Sequence, residues 1–164
     1  MKKILIPTDF SGKSLDVLTD FLLFTNEKTV SVLFFNGMTV SDSITDLLLL
    51  PRRAKEMELI PKYFDNYCKC LRKEFDRLTE VRFDYFYGNT AILFRNFLNA
   101  NDIDEIVFDP TVDLRRLNKD SLNMIEMINR CKWGKWSPSQ NKTRSLITDT
   151  ERKMITDELE KVFS

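Results

Sequence analysis

Histidine is absent from all 164 residues. That removes Ser-His-Asp and Cys-His nucleophilic catalysis and any metal site that leans on imidazole. The three cysteines, Cys68, Cys70 and Cys131, cannot pair completely, which fits a reducing compartment. Cys68 and Cys70 fall in a helical pattern, where positions two apart point about 200° around the axis. They read as structural thiols rather than as a chelating pair. No apolar run is long: Val30–Phe35 and Leu47–Leu50 fall well short of the roughly 20 residues that cross a bilayer. The apolar stretch behind Met1-Lys2-Lys3 is too short for a signal peptide. A cytoplasmic protein without a membrane partner is the expectation. Net charge is missing too, since 25 basic residues balance 25 acidic ones. Bulk attraction to nucleic acid or anionic lipid is therefore not the default.

What is present suits one globular core. The apolar share of 43% fills it, and 30% charged residues give it a polar exterior. Two kinds of segment alternate. Lys2–Pro7, Val30–Phe35 and Glu105–Phe108 (with Ile103 before it) are apolar on consecutive residues, as in parallel strands covered on both faces. Val81–Tyr87 alternates instead, which predicts a half-wet strand at the sheet edge. Helical spacing runs through Ser11–Thr25, Pro61–Leu78, Thr90–Ala100, Ser121–Cys131 and Thr148–Phe163. Ser11 or Ser14 is the N-cap of the first, and Thr148-x-x-Glu151 forms a capping box for the last. Met38–Lys55 reads as an insertion with a short helix. The order strand–helix–strand–helix predicts an α/β fold, an open parallel sheet with helices on both faces. The domain spans residues 1–147, and the amphipathic helix 148–164 packs on it.

In such a sheet, ligands bind at the carboxyl ends of strands where the strand order reverses. Those ends are Pro7-Thr8-Asp9-Phe10-Ser11 and Asp109-Pro110-Thr111. Asp9 and Asp109 could share a crevice and hold a cation or a ribose; alternatively, both cap the helices that follow them.

Lys3-Ile-Leu-Ile-Pro-Thr-Asp-Phe-Ser11 resembles the opening strand and turn of the universal stress protein family. Gly88-Asn-Thr-Ala-Ile92 is similar to that family's Gly-x-Pro-x-x-x-Ile helix entry, with Thr90 where Pro is usual. Asn101-Asp-Ile-Asp-Glu-Ile-Val107 resembles its fourth strand, so the likeness covers Lys2 to Asp109. It implies a Rossmann-like (HUP) sheet of the adenine nucleotide alpha hydrolase type, in order 3-2-1-4-5. It also implies a nucleotide crevice formed by Pro7, Thr8, Asp9, Phe35, Asn36, Gly88, Asp109, Arg115 and Arg116.

The pattern fails in two places. Nucleotide-binding members carry Gly-x2-Gly-x9-Gly-Ser/Thr after the fourth strand, where bare backbone can approach phosphates. Asp109–Leu122 contains no glycine, and of the four in the chain (12, 37, 88 and 134) only Gly134 follows this strand. Asp113 adds negative charge there, which Arg115, Arg116 and Lys119 offset in part. The fifth strand is also weak or missing: Lys132–Pro138 is not a buried strand, leaving Ser145–Thr148 as the short candidate. Between Arg115 and Arg144, eight basic residues face two acidic ones, with Trp133 and Trp136 interleaved. Either this segment is a solvated loop whose tryptophans plug the sheet end, or it binds single-stranded nucleic acid weakly through Lys132–Arg144.

The resulting expectation is a universal-stress-like binding or signalling domain that has lost ATP binding, with ATP and Mg²⁺ disfavoured. The alternative is a nucleotide-binding protein with weak hydrolase or phosphotransferase activity using Asp9 and Arg115/Arg116. No catalytic residue and no metal ligand is assigned. The expected partner is another protein, with a homodimer open and nucleic acid disfavoured.

Overall fold

A computed structural model describes residues 1–39, 59–117, 121–141 and 157. The strands β1 (Lys2–Pro7), β2 (Val30–Met38), β3 (Leu78–Tyr87), β4 (Glu105–Val107), β5 (Ser121–Leu122) and β6 (Lys135–Trp136) form one sheet. Its main path runs β3-β2-β1-β4-β6, and β5 pairs with β2 off that path. The helices are α1 (Gly12–Phe24), α2 (Lys62–Glu74), α3 (Ala91–Ala100), α4 (Ile125–Arg130) and α5 (Pro138–Asn141).

The consecutive apolar residues of β1 and β2 serve two cores at once, because successive side chains point to opposite faces. Ile4, Ile6, Val32 and Phe34 enter one core with Leu18, Phe21, Phe64 and Leu71 of α1 and α2. Leu5, Leu33 and Phe35 enter the other with Phe94, Leu98 and Ile128 of α3 and α4. All nine residues of β2 are buried. The β1–β2 ladder is parallel from Lys2↔Val30 to Pro7↔Phe35, and β1 pairs β4 at Ile4↔Glu105. β3 takes the expected edge, with Glu80 and Asp84 exposed on one side and Tyr85 and Phe86 buried towards the strand's end.

Several sequence expectations change. The helix predicted over Pro61–Leu78 stops at Glu74, and Leu78 already begins β3. Its backbone N–H bonds Phe75, which closes the turn between the two elements. The helix predicted from Ser121 starts only at Ile125. Ser121 and Leu122 pair antiparallel with Met38 and Gly37, and Asn123 Oδ1 then accepts the Ile125 amide at 3.0 Å. Short polar side chains that bind nearby amides compete with helix in this way. In α3, Phe94 and Leu98 are buried, whereas Ile92 and Leu93 of the expected apolar stripe are exposed.

The largest correction concerns the fifth rung. Lys135–Trp136, excluded from strand structure on sequence grounds, pairs parallel with β4 at Ile106↔Lys135 and Val107↔Trp136. Trp136 is buried against the rings of Phe21 and Phe24, with centroids at 5.3 and 5.4 Å. Residues 145–148, the tail helix expected over 148–163, and the short helix expected within Met38–Lys55 lie outside the described residues.

Candidate functional site

Beyond Pro7 the chain leaves the sheet in a turn built almost wholly from its own polar groups. The Thr8 amide still reaches the Phe35 carbonyl at 2.9 Å, extending the β1–β2 ladder by one bond. Asn36 Nδ2 donates to the Thr8 carbonyl at 2.8 Å. Thr8 Oγ1 accepts the Phe10 amide at 2.9 Å and lies 2.7 Å from Ser14 Oγ. Phe10 itself has φ +59, a left-handed conformation that costs an L-residue about 1–2 kcal/mol. Its ring, packed edge-on to Phe64 at 5.4 Å, and the Tyr63 hydroxyl donating to its carbonyl hold it there.

Asp9 is the centre of the arrangement, with no exposed side-chain surface. Oδ1 accepts the Ser11 amide at 2.9 Å and the Ser11 hydroxyl at 2.5 Å. Oδ2 accepts the Arg115 amide at 2.9 Å, with Arg115 Nε at 3.5 Å. Burial alone would raise this carboxyl's pKa. The Ser11 hydroxyl, the two amides and the Arg115 guanidinium outweigh it and hold the group below the usual carboxylate range. Ser11 then N-caps α1, as one of the two expected serines, while Ser14 is spent on Thr8.

Asp109 performs the same local task without the partner. Its Oδ1 accepts the Thr111 amide at 2.9 Å and the Thr111 hydroxyl at 2.6 Å. Both aspartates therefore close local turns, but neither is a helix cap as the alternative expected: Ser11 caps α1, and no described helix follows Asp109 until Ile125. From Asp109 the chain passes back over the start of α1, where Lys13 Nζ donates to the Asp113 carbonyl at 2.8 Å.

One shallow cleft opens at this end of the sheet, lined by Pro7, Thr8, Phe35, Asn36, Gly37, residues 114–116 and residues 122–124. Of the predicted site residues, Pro7, Thr8, Phe35, Asn36, Arg115 and Arg116 meet there, while Asp9 lies buried behind Arg115. Asp109 and Gly88 do not line it. Gly88 sits at the β3–α3 turn with φ +146, donating its amide to the Met38 carbonyl. Gly37, Leu122, Asn123 and Met124 were not anticipated as lining residues. The one hint was a glycine inside an otherwise apolar strand, which marks close approach by another group. Met124 makes that approach: its Sδ lies 2.5 Å from where a Cβ on residue 37 would stand.

No protein-family model and no curated protein matches the sequence. Solved structures do. Universal stress protein UspA from Lactobacillus plantarum superposes at TM-score 0.53 and 13% identity, over 83% of this chain and 96% of that one. The chain has the universal stress protein fold. Hypothetical protein MJ0577, the subject of a structure-based assignment of biochemical function, matches at TM-score 0.50 and 18% identity, over 83% of this chain and 94% of that one. Hypothetical protein PH0823 matches at TM-score 0.50 and 16% identity, with the same coverage.

Against the nucleotide that the resemblance implies for this fold, the cleft offers little. The free space is ≈ 20 Å³, enough for about one water, whereas ligand pockets run to roughly 300–1,000 Å³. Four of the described amides in the segment after β4 are committed within the chain. Thr111 N donates to Asp109 Oδ1, Val112 N to the Asp109 carbonyl, Arg115 N to Asp9 Oδ2, and Leu117 N to Ser121 Oγ at 2.9 Å. Among the described residues no group of three or more cysteines, aspartates or glutamates is placed to hold a metal ion. The Cys68 thiol is pushed up to about 12, first by burial and then by Asp65. The tryptophans of the basic segment point inward. Trp136 is core, and half-buried Trp133 donates its indole N–H to the Ile103 carbonyl at 3.1 Å. No described helix is long and apolar enough to cross a membrane.

Proposed function

We propose that this universal-stress-type domain does not take up nucleotide at its crevice and acts as a binding or signalling module that recognises another protein. One observation carries the reading: the carboxylate expected to meet a nucleotide, Asp9, is already satisfied by Ser11 and Arg115. A ligand entering there would have to break charge-assisted bonds and replace each of them. The same commitment argues against a hydrolase built on Asp9, because a carboxylate held ionised by four donors is a poor proton acceptor.

Thermal unfolding with ATP and Mg²⁺ tests the proposal. A ligand at about 100 times its dissociation constant stabilises a fold by ~2.7 kcal/mol, roughly 5–10 °C for a domain of this size. The expected result is an unchanged midpoint at millimolar ATP. A rise of several degrees that disappears in Asp9→Ala would overturn it.

A further inference from the structure

β3 ends the main path of the sheet, so among the described residues one of its two edges has no strand beside it. The strand is ten residues long and contains no proline and no lysine, the residues that most often blunt such an edge. Side chains close it at two points. Arg72 Nη2 donates to the Thr79 carbonyl at 2.9 Å, and Asp84 Oδ1 accepts the Tyr85 amide at 2.8 Å. Peptide groups alternate between the two edges of a strand, so Val81 and Phe83, in step with Thr79 and Tyr85, also turn theirs away from β2. Between the two closed points the edge is a template for another strand.

The side chains there choose the strand. Val81 and Phe83 are half-buried on the face covered by α1 and α2, where Phe83 packs on Phe34 and Phe64 with ring centroids at 6.0 and 5.9 Å. Arg82 and Asp84 share the opposite face, beside Leu33 and Phe35. Arg82 is loosely held. Its Nε makes no hydrogen bond and stands 3.7 Å from Glu80 Oε2, an oxygen that already accepts the Ser31 hydroxyl at 2.9 Å. Asp84 is exposed. Laid antiparallel on a second copy with Phe83 opposite Phe83, the strand sets each Arg82 opposite the partner's Asp84. A slip to Arg82 opposite Arg82 would instead set Glu80 against the partner's Asp84. Opposite charges directly across an antiparallel pair attract and like charges repel, so the charges that deter other strands fit this one.

We propose that β3 is an interaction surface for a second copy of this chain, whose own β3 pairs antiparallel about Phe83 and joins the two sheets into one. The two-fold axis makes the Arg82–Asp84 pair twice and covers Val81 and Phe83 of both copies. The pairing does not depend on whether the crevice takes nucleotide.

Sedimentation equilibrium of the full chain tests the pairing. Dimer is expected to dominate at about 100 µM chain. Arg82→Asp and Asp84→Arg are each expected to weaken association at least ~100-fold, because each sets like charges opposite one another. Mixed in equal amounts, the two variants are expected to pair with each other as strongly as the unmodified chain does. A dimer that survives either reversal would overturn the proposal, as would folded variants that stay apart when mixed. A monomeric unmodified chain at that concentration would overturn it too; slow exchange of its Val81 and Phe83 amides would mean that the chain covers its own edge. Should either variant fail to fold, isotope-filtered NOEs in a dimer of labelled and unlabelled chains decide. Phe83 is expected to face the partner's Phe83, and any other register would contradict the proposal.

Discussion

Asp9, expected in a ligand crevice, bonds to its own turn and to a distant backbone amide. Its position in Pro7-Thr8-Asp9 was legible because the turn is local: Ser11 is two residues away, and an aspartate that folds back on its own backbone is a common solution at a strand end. Its second partner was not legible. Arg115 lies 106 positions along the chain, and no local pattern encodes a bond of that span. The consequence is testable by pH. A carboxyl whose folded pKa is depressed contributes stability that is fully present above its unfolded pKa and is lost as pH falls through the folded value. Denaturant midpoints are therefore expected to fall on acidification below about pH 4, the range of an unperturbed aspartate. In Asp9→Asn that part of the slope is expected to flatten, with a loss of about 2–4 kcal/mol at neutral pH from the weakened bonds to buried donors. An unchanged acid slope in the variant would show that other carboxylates govern it.

At the level of elements, the strands that carry both cores were readable because being covered on two faces demands a continuous apolar run, as in Ile4-Leu5-Ile6 and Val32-Leu33-Phe34-Phe35. The elements at the margins were not. β6 is two residues long, contains a lysine and follows a glycine, so nothing in it resembles a strand. Its pairing with Ile106 and Val107 defines it, with the carbonyls of Gly134 and Trp136 accepting the Ile106 and Phe108 amides at 2.8 and 3.1 Å. Ser121–Leu122 was hidden for the same reason, since its partner edge exists only because β1 ends early. If β6 is the fifth rung, Trp136 anchors it. Trp136→Ala is expected to cost about 3–5 kcal/mol by removing a buried ring from Phe21 and Phe24. Ile92→Ala, at a position 72% exposed, is expected to stay within about 0.5 kcal/mol. Chemical denaturation of the two variants compares them directly, and similar losses would contradict the burial assigned to each.

For the whole molecule, the alternation of elements led to a doubly covered parallel sheet, and the resemblance to universal stress proteins implied its order, 3-2-1-4 and then a fifth strand. The missing glycines of Asp109–Leu122 pointed to a lost phosphate cradle. In the structure, four described amides of that segment, those of Thr111, Val112, Arg115 and Leu117, are bonded to Asp109, Asp9 and Ser121. Composition could say that the cradle lacked room for bare backbone. It could not say that a methionine and a short strand pack onto Gly37, because that depends on two distant segments meeting there.

The most direct measurement is a titration of the ¹⁵N-labelled chain with ATP and Mg²⁺, following the Arg115 amide and the Asn36 side-chain amide. Both resonances are predicted to stay in place up to millimolar nucleotide. Saturable displacement of the two together, at nucleotide concentrations found in cells, would contradict a crevice closed by the protein's own chain.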